Sequence, residues 1–490
     1  MKITLAVLDK HGKNASKRVL TVFGEIDSEK QCHFRLAWPE KIDTEKDLEV
    51  LTREKVDSSV VFGYASSRPK ATEKNEFVQL DDAVLVFEGR MYSPISRATM
   101  MMAQLGKDAR QCDGRLRNFI KEADGDYLFL LLKEDWIAVG RDPIGVQPLY
   151  YGENQEIAAV ATNKKTLLLL GIANPRSFPP GNLAFANREG FQFKPVKTLS
   201  FTEPTVITLD KAAEKLRSLL TESIRRRTRD CREIAVAFSG GLDSSVVAYL
   251  ASKLGVKVNL IHVSMENQPE TEEAVNISRE LDLPMQAYFF KDSDVEAALP
   301  KVVGLIEEAD PIKASIGLPF YWTAEKAAEA GLRVVLAGQG ADELFGGYQR
   351  YVTQYCKEGS AAVLKTMFND VVNIHLSNLE RDLKITGYHD VELRLPFAMF
   401  DIAEFALSLP IECKIEPKPD TLRKLVLRKI ASDAGMPTSV VDKPKKAVQY
   451  STGINDAVKR VAKKHGKTVN DFVAELLQTI GFEARKTHFS

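Results

Sequence analysis

The pattern of apolar and polar positions changes near residue 200 of the chain. Before that point, short runs of β-branched and aromatic residues alternate with turn-forming residues, a pattern typical of strands. Helical spacing interrupts this only briefly, at 98–105 and 116–122. We therefore predict an α+β sandwich for residues 1–200. The runs predicted as strands are ITLAVL, VLTVFGEI, CHFRLAW, SSVVFGYA, AVLVFEG, DYLFLLL and WIAVGR.

Beyond Lys211 the chain changes to apolar strands that alternate with helices. Such alternation indicates βαβ units and a parallel sheet. After Asp342 the pattern is mostly helical, so we predict a second, α/β domain at 208–490 with a helical C-terminal part, after a linker at 195–208. The predicted elements are strands at 234–238, 258–263, 285–290 and 332–338, and helices near 246–254 and 271–281.

Composition narrows the class of protein. Among the 490 residues, 67 are Lys or Arg and 67 are Asp or Glu, so the formal net charge is zero. This balance weakens a nucleic-acid or anionic-membrane role. The five scattered cysteines form no CxxC pair, and no apolar run approaches the ~20 residues that span a bilayer. The first residues lack the apolar core of a signal peptide. We expect a cytoplasmic protein without a membrane partner.

The segment AVAFSGGLDSSVVAYLA (235–251) carries the clearest chemistry. A buried-type strand leads into two glycines and then a helix, an arrangement in which backbone N–H groups and the helix dipole bind an anion. An acidic residue beside phosphate is best explained by Mg²⁺, which assigns Asp243 to a metal site. The alternative is an ordinary glycine-rich turn with Ser and Asp caps. The candidate nucleotide-binding residues are Phe238, Ser239, Gly240, Gly241, Leu242, Asp243, Ser244 and Ser245.

The SGGLDSS turn resembles the signature of the PP-loop ATP pyrophosphatases, which bind ATP and adenylate a carbonyl or carboxylate. A second glycine-rich turn, LAGQGADELFGGYQRY (336–351), follows a later strand and adds Asp342 as a second candidate Mg²⁺ ligand, or alternatively as a helix N-cap. This block resembles that of asparagine synthetases. Further segments resemble the family in its order, namely HDVELRLPF (389–397), TLRKLVLRKIA (421–431) and KPKKAVQYSTGI (443–454).

The N-terminal half resembles the Ntn-type glutaminase domain of the same family through GDYLFLLL (125–132), GRDPIGVQPLYY (140–151) and FPPGNL (178–183). The resemblance implies ATP and Mg²⁺ as cofactors, with Val263 and Gly338 near the adenine. It also implies a lysine that stabilises the developing charge, Lys446 or alternatively Lys445. A homodimer is a further expectation from the family.

The chain departs from the family pattern at two sites, the glutaminase site and the synthetase site, and both change the expected activity. Glutamine-hydrolysing members carry a Cys nucleophile after the initiator Met, whereas position 2 here is Lys2, and an ammonium group cannot replace a thiolate. The family's NGEIYN segment is EGRMYS (88–93) here, and its RGPD segment is reduced to SSRPK (66–70). We therefore expect a glutaminase-like domain without glutaminase activity, and ammonia or another amine as the nucleophile.

The other departure is Gln339, which stands where asparagine synthetases carry Glu. A neutral amide can only form hydrogen bonds. In the β-lactam synthetase relatives a Glu from a different segment acts instead, and Glu380 is the candidate here, against a solvated helix face as the alternative.

The sequence thus predicts an ATP-dependent ligase that releases AMP and pyrophosphate, with aspartate and ammonia as substrates. The alternatives are a specialised amide or lactam synthetase, a PP-loop RNA-modifying enzyme and a catalytically silent scaffold. The zero net charge argues against RNA, and the two carboxylates suited to Mg²⁺ argue against a silent protein.

Overall fold

The computed structural model describes residues 2–26, 32–46, 48–53, 56–66, 76–80, 82–92, 112–418, 422–444 and 452–479. The described chain divides into two compact units between Thr198 and Leu199. No described helix is long and apolar enough to cross a membrane.

The described part of the N-terminal unit contains two antiparallel sheets. The first has the strand order β11-β9-β10-β1-β4-β2-β3 and the second the order β13-β12-β8-β7-β6-β5. The strands are β1 (Lys2–Asp9), β2 (His33–Trp38), β3 (Lys41–Lys46), β4 (Val60–Ser66), β5 (Glu76–Gln79), β6 (Val84–Met91), β7 (Gly125–Lys133), β8 (Trp136–Arg141), β9 (Tyr150–Glu153), β10 (Ile157–Ala161), β11 (Arg176–Ser177), β12 (Asn182–Asn187) and β13 (Gly190–Pro195).

Alternation along these strands places the sheets face to face. Leu8 and Phe62 of the first sheet pack with Val86 and Leu130 of the second in one apolar core. The outer faces are covered by helices α1 (Ala15–Ile26) and α3 (Cys112–Glu122), giving four layers in the order helix, sheet, sheet, helix. The unit also contains the short helices α2 (Leu48–Arg53) and α4 (Lys164–Leu169).

One predicted strand is wrong. VLTVFGEI belongs to α1, because Val19, Val22 and Phe23 recur at helical spacing and are all buried against the first sheet. The helix predicted at 98–105 lies outside the described residues.

The second unit is built on a five-stranded parallel sheet of order β16-β15-β14-β17-β18. Its strands are β14 (Glu233–Ala237), β15 (Lys257–Met265), β16 (Met285–Phe290), β17 (Val334–Leu336) and β18 (Glu392–Arg394). The parallel α/β sheet predicted from the alternating pattern is confirmed, and β18, inside the HDVELRLPF segment, was not predicted. The order reverses between β14 and β17, and such a switch point opens a crevice at the carboxyl ends of the strands.

Helices make up most of the rest of this unit. They are α5 (Leu209–Thr228), α6 (Leu242–Lys253), α7 (Pro269–Glu280), α8 (Asp292–Ile306), α9 (Pro311–Glu329), α10 (Ala341–Phe345), α11 (Gln349–Glu358), α12 (Ser360–Val372), α13 (Glu380–Tyr388), α14 (Phe400–Ser408), α15 (Leu425–Asp433), α16 (Thr438–Val441), α17 (Ile454–Lys464) and α18 (Val469–Thr479), with a π turn at His375–Leu379 and a 3₁₀ turn at Ile411–Cys413.

Arg394 of β18 anchors the edge of the sheet. Its guanidinium is buried, donates to Asp230 Oδ1 at 2.7 Å and Glu392 Oε1 at 2.8 Å, and also reaches the Arg227 carbonyl. The HDVELRLPF segment therefore has a clear structural role, because Arg394 ties β18 to the end of α5.

Candidate active site

The first glycine-rich turn lies at the switch point, between β14 and α6. Gly240 has a φ of +66°, and a Cβ built there would lie 2.9 Å from the Ala274 Cα on α7, so both conformation and space require glycine. The Gly241 amide donates to the Ser239 hydroxyl at 3.3 Å, and the Ser244 hydroxyl donates to the Gly241 carbonyl at 3.2 Å. These long hydrogen bonds leave both hydroxyls able to turn towards a ligand.

The second glycine-rich turn follows β17, the neighbour of β14. A Cβ at Gly338 would lie 2.7 Å from the Asp243 Cβ, so glycine here allows the two turns to touch. Asp342 falls in the first turn of α10, whose N-cap is Gly340, so Asp342 is not the helix N-cap of the alternative interpretation.

The two turns bring Asp243 and Asp342 to one point. Lys424, at the N-cap of α15, places its Nζ 2.5 Å from Asp243 Oδ2 and 2.6 Å from Asp342 Oδ1, and its side chain is 2% exposed. Lys424 belongs to the TLRKLVLRKIA segment, but no role was predicted for it. A lysine in a basic, amphipathic stretch resembles a surface residue until the fold shows its carboxylate partners.

These two carboxylates suit a magnesium ion. Mg²⁺ is commonly held by one or two protein carboxylates, with phosphate and water oxygens completing its shell. Among the described residues, no group of three or more His, Cys, Asp or Glu could hold a metal. Two acidic oxygens that converge on one cationic nitrogen are the donor set such an ion would use.

A cavity opens beside the turns. The predicted residues that line it are Phe238, Ser239, Asp243, Ser244, Val263, Gly338, Gln339 and Asp342. Leu242 and Ser245 are buried on the inner side of α6 and do not line it, and Gly240 and Gly241 shape the turn at its edge. Sequence reasoning missed the wall formed by α9 and three polar residues. These missed residues are Ile316, Pro319, Phe320, Thr323, Tyr348, Asn378 and Thr452.

A buried carboxyl group, that of Glu343, contacts two polar residues that line the cavity. Glu343 accepts from the Tyr348 hydroxyl at 2.5 Å and from Asn378 Nδ2 at 2.7 Å. Burial and the neighbouring Asp342 raise the pKa of Glu343, and burial raises the pKa of Tyr348. These contacts fix the two cavity-lining side chains, Tyr348 and Asn378.

His262 is a packed residue of β15. Its ring nitrogens lie 2.9 Å from the Phe238 carbonyl oxygen and 3.2 Å from Thr271 Oγ1, and burial lowers its pKa. It therefore supports the strand that leads to Val263.

The remaining catalytic candidates, Glu380, Lys445 and Lys446, are not among the residues that line the cavity in the described part of the chain. Glu380 is 4% exposed, so it is not on a solvated helix face, and it does not line the cavity. Lys445 and Lys446 lie outside the described residues. On either side of these residues, the Lys443 carbonyl accepts a hydrogen bond from Arg428 at 2.8 Å, and Thr452 lines the cavity.

In the N-terminal unit, two of the departures from the family pattern form one contact. Lys2 Nζ lies 2.7 Å from Glu88 Oε1, and the Thr4 hydroxyl donates to Glu88 Oε2 at 2.6 Å. The residues that replace the expected thiol and amide are therefore an ion pair. Most of the SSRPK segment lies outside the described residues.

A glycine-rich turn and paired carboxylates at the switch point of a parallel sheet define a nucleotide-binding α/β enzyme. Comparison with known proteins is consistent with this. The asparagine synthase family model matches residues 215–365 and 353–479.

Two curated relatives illustrate the similarity. "Putative asparagine synthetase (glutamine-hydrolyzing) 1" of Methanocaldococcus jannaschii is 32% identical over 74% of this chain and 76% of its own length. The glutamine-hydrolysing asparagine synthetase of Asparagus officinalis is 26% identical over 71% of this chain and 61% of its own length. The chain belongs to the asparagine synthase family and is a carbon–nitrogen ligase.

Proposed function

We propose that the chain activates a carboxylate with ATP as an acyl adenylate and transfers the acyl group to an amine. Aspartate and ammonia are the proposed substrates. The observation that carries this proposal is the convergence of Asp243 and Asp342, one from each glycine-rich turn, on Lys424 beside the cavity.

ATP would lie across the two turns. Phe238, Val263 and Gly338 line the cavity where the adenine would pack. The hydroxyls of Ser239 and Ser244 and the start of α6 would hold the phosphates, since helix N-termini favour anions. Asp243 and Asp342 would hold Mg²⁺, which neutralises phosphate charge when bound.

The reaction has two steps. A carboxylate oxygen attacks the α-phosphorus, the bond from that phosphorus to the bridging β-oxygen breaks, and pyrophosphate leaves. The amine nitrogen then attacks the acyl carbon, the carbon–oxygen bond to AMP breaks, and the nitrogen gives up one proton. The protein contributes position and charge stabilisation, and we assign part of this to Lys446, or alternatively Lys445.

Ammonia, rather than glutamine, is the proposed nitrogen source. Hydrolysis of glutamine by the family's route needs a thiolate at the start of β1, and here the Lys2 ammonium group is paired with Glu88. This differs from the names of both relatives, which describe glutamine hydrolysis.

A specialised amide or lactam synthetase is the second candidate. It is favoured by Gln339, which lines the cavity where the family carries Glu. In that case the amine would belong to the substrate itself.

The test is pyrophosphate release from ATP and Mg²⁺ with aspartate, comparing ammonia with glutamine. We expect aspartate-dependent pyrophosphate and asparagine with ammonia alone, and at least about a hundredfold loss in Asp243→Asn. ATP binding without aspartate-dependent pyrophosphate would favour the second candidate. Asparagine formed from glutamine would overturn the assigned nitrogen source.

A further inference from the structure

Gln339 is held by a buried charge network behind the cavity wall. Its Nε2 donates to Asp382 Oδ2, and Asp382, on α13, is completely buried. Arg381 donates to the same carboxylate through Nε at 2.7 Å and Nη2 at 3.1 Å. Arg381 is itself buried and also donates to the Ser377 carbonyl at 3.1 Å.

This network fixes which way the Gln339 amide points. A carboxylate paired with a guanidinium accepts hydrogen bonds and has no proton to donate, so it must face the NH₂ group of the amide. Burial is the largest influence on the Asp382 carboxyl and raises its pKa above the ordinary value, and the contacts with Arg381 and Gln339 oppose this shift and favour the ionised form. One N–H of the amide is thereby engaged with Asp382, and the carbonyl oxygen is the acceptor that the Gln339 side chain can offer in the cavity that it lines.

We propose, on the basis of the proposed function, that Gln339 accepts a hydrogen bond from the attacking amine and selects its neutral form. Asp382 and Arg381 are positioning residues that hold the amide in this orientation. A carboxylate beside an amine favours the protonated ammonium, which has no lone pair for attack. A neutral carbonyl oxygen binds an N–H group without stabilising that charge.

The same network disfavours the family's Glu at this position. A carboxylate at 339 would stand against the buried Asp382 carboxylate, and like charges in a buried site repel strongly. Gln339 and Asp382 therefore form a matched pair, and we expect substitutions at the two positions to be coupled.

The first experiment separates the two steps of the reaction. Aspartate-dependent pyrophosphate release reports adenylation, and asparagine formation against ammonium chloride concentration reports the amine step. In Gln339→Leu we expect the ammonia KM to rise about tenfold, as for the loss of one hydrogen bond, with adenylation within about twofold of the wild type. Gln354→Leu, whose amide bonds to Glu358 on the surface, is the matched control and should change neither.

The second experiment tests the orientation and does not depend on catalysis. Gln339→Glu should lower Tm by about 5 °C or more. Adding Asp382→Asn should restore most of the lost Tm, because the introduced amide can then donate to the introduced carboxylate. The exposed Asp401→Asn at the start of α14 is the control for an Asp-to-Asn change and should not rescue Gln339→Glu.

A pH profile then shows whether Gln339 selects the neutral amine or only stabilises the fold. The wild-type KM, expressed as free ammonia, should not vary with pH. In the swapped Gln339→Glu/Asp382→Asn protein the carboxylate should bind ammonium, so the KM expressed as free ammonia should fall as the pH is lowered.

The outcomes are separable. An active Gln339→Leu with unchanged ammonia KM, or one whose aspartate KM alone rises, overturns the assignment of Gln339. Additive effects on Tm at positions 339 and 382 overturn the orienting network. No pyrophosphate from the wild-type protein overturns the proposed function, and the assigned amine with it.

Discussion

Lys424 Nζ lies 2.5 Å from Asp243 Oδ2, which joins α15 to the glycine-rich turn after β14. The same nitrogen lies 2.6 Å from Asp342 Oδ1. One buried ammonium group thus balances two carboxylates that would otherwise repel each other. Because of this ion pairing, two acidic residues can lie close together beside a turn that is suited to phosphate.

Replacing Lys424 should make the fold depend on magnesium. Lys424→Met leaves the two carboxylates without their cation, and we expect a loss of about 2–3 kcal/mol, since both carboxylates keep some contact with water. Mg²⁺ should then raise the Tm of the variant more than that of the wild type.

Thermal unfolding with Mg²⁺ and with a chelator measures this effect. Lys429→Met on the same helix is the control, because Lys429 pairs with Asp433 and Asp210 at the surface, where water screens the ion pairs, and its replacement should change the stability little. An equal response to Mg²⁺ in Lys424→Met and the wild type would contradict the metal assignment.

The close approach at Gly240 should be necessary for nucleotide binding. Gly240→Ala places a methyl group against the α7 backbone, so the turn must shift, and we expect ATP affinity to fall by about tenfold or more. Gly255 is the matched control, because its φ of +80° imposes similar strain while nothing lies within 4 Å of a built Cβ. Titration of ATP by calorimetry should separate the two, and equal affinities would argue against this turn as the phosphate site.

The features that depend on local sequence pattern could be predicted from the sequence. Strand and helix alternation predicted the parallel sheet, and glycine spacing predicted the turns that bring Asp243 and Asp342 together. Prediction from the sequence failed where tertiary packing determines the structure. The apolar faces of α1 and of a strand look alike in a short β-branched run, so VLTVFGEI was misread.

Long-range partners were also beyond sequence reasoning. Glu380 was the candidate acid from its segment, yet the carboxylate that contacts Gln339 is that of Asp382, two residues later. Helical phase decides which of two neighbouring acids faces Gln339, and a π turn at His375–Leu379 precedes this helix and shifts its phase. Likewise, only the packed position of α9 shows which of its apolar residues line the cavity.

A lysine of the segment 443–454 should affect the rate of pyrophosphate release rather than the binding of ATP. We expect Lys446→Ala to lower the rate of pyrophosphate release by about a hundredfold or more while the KM for ATP changes by less than about threefold. Lys445→Ala is the comparison, and the stronger effect identifies the catalytic lysine. A change confined to ATP affinity in both variants would refute the assignment of charge stabilisation to this segment.

The N-terminal unit should not hydrolyse glutamine. Because Lys2 is paired with Glu88, we expect no glutamate release from glutamine, and Lys2→Cys alone should not create it while Glu88 remains. Glu88→Ala should instead destabilise the unit by about 1–3 kcal/mol, since Thr4 loses its buried acceptor. Glutamate release by the wild type, lost in Lys2→Ala, would contradict the assignment of this unit.

Activation of the carboxylate by adenylation is tested most directly by oxygen labelling. Aspartate labelled with ¹⁸O in its side-chain carboxylate is incubated with ATP, Mg²⁺ and ammonia, and the phosphorus-containing products are analysed by mass spectrometry. We predict one ¹⁸O atom in AMP, transferred when the carbon–oxygen bond of the acyl adenylate breaks. Label in inorganic phosphate with ADP as the nucleotide product, or unlabelled AMP, would contradict it.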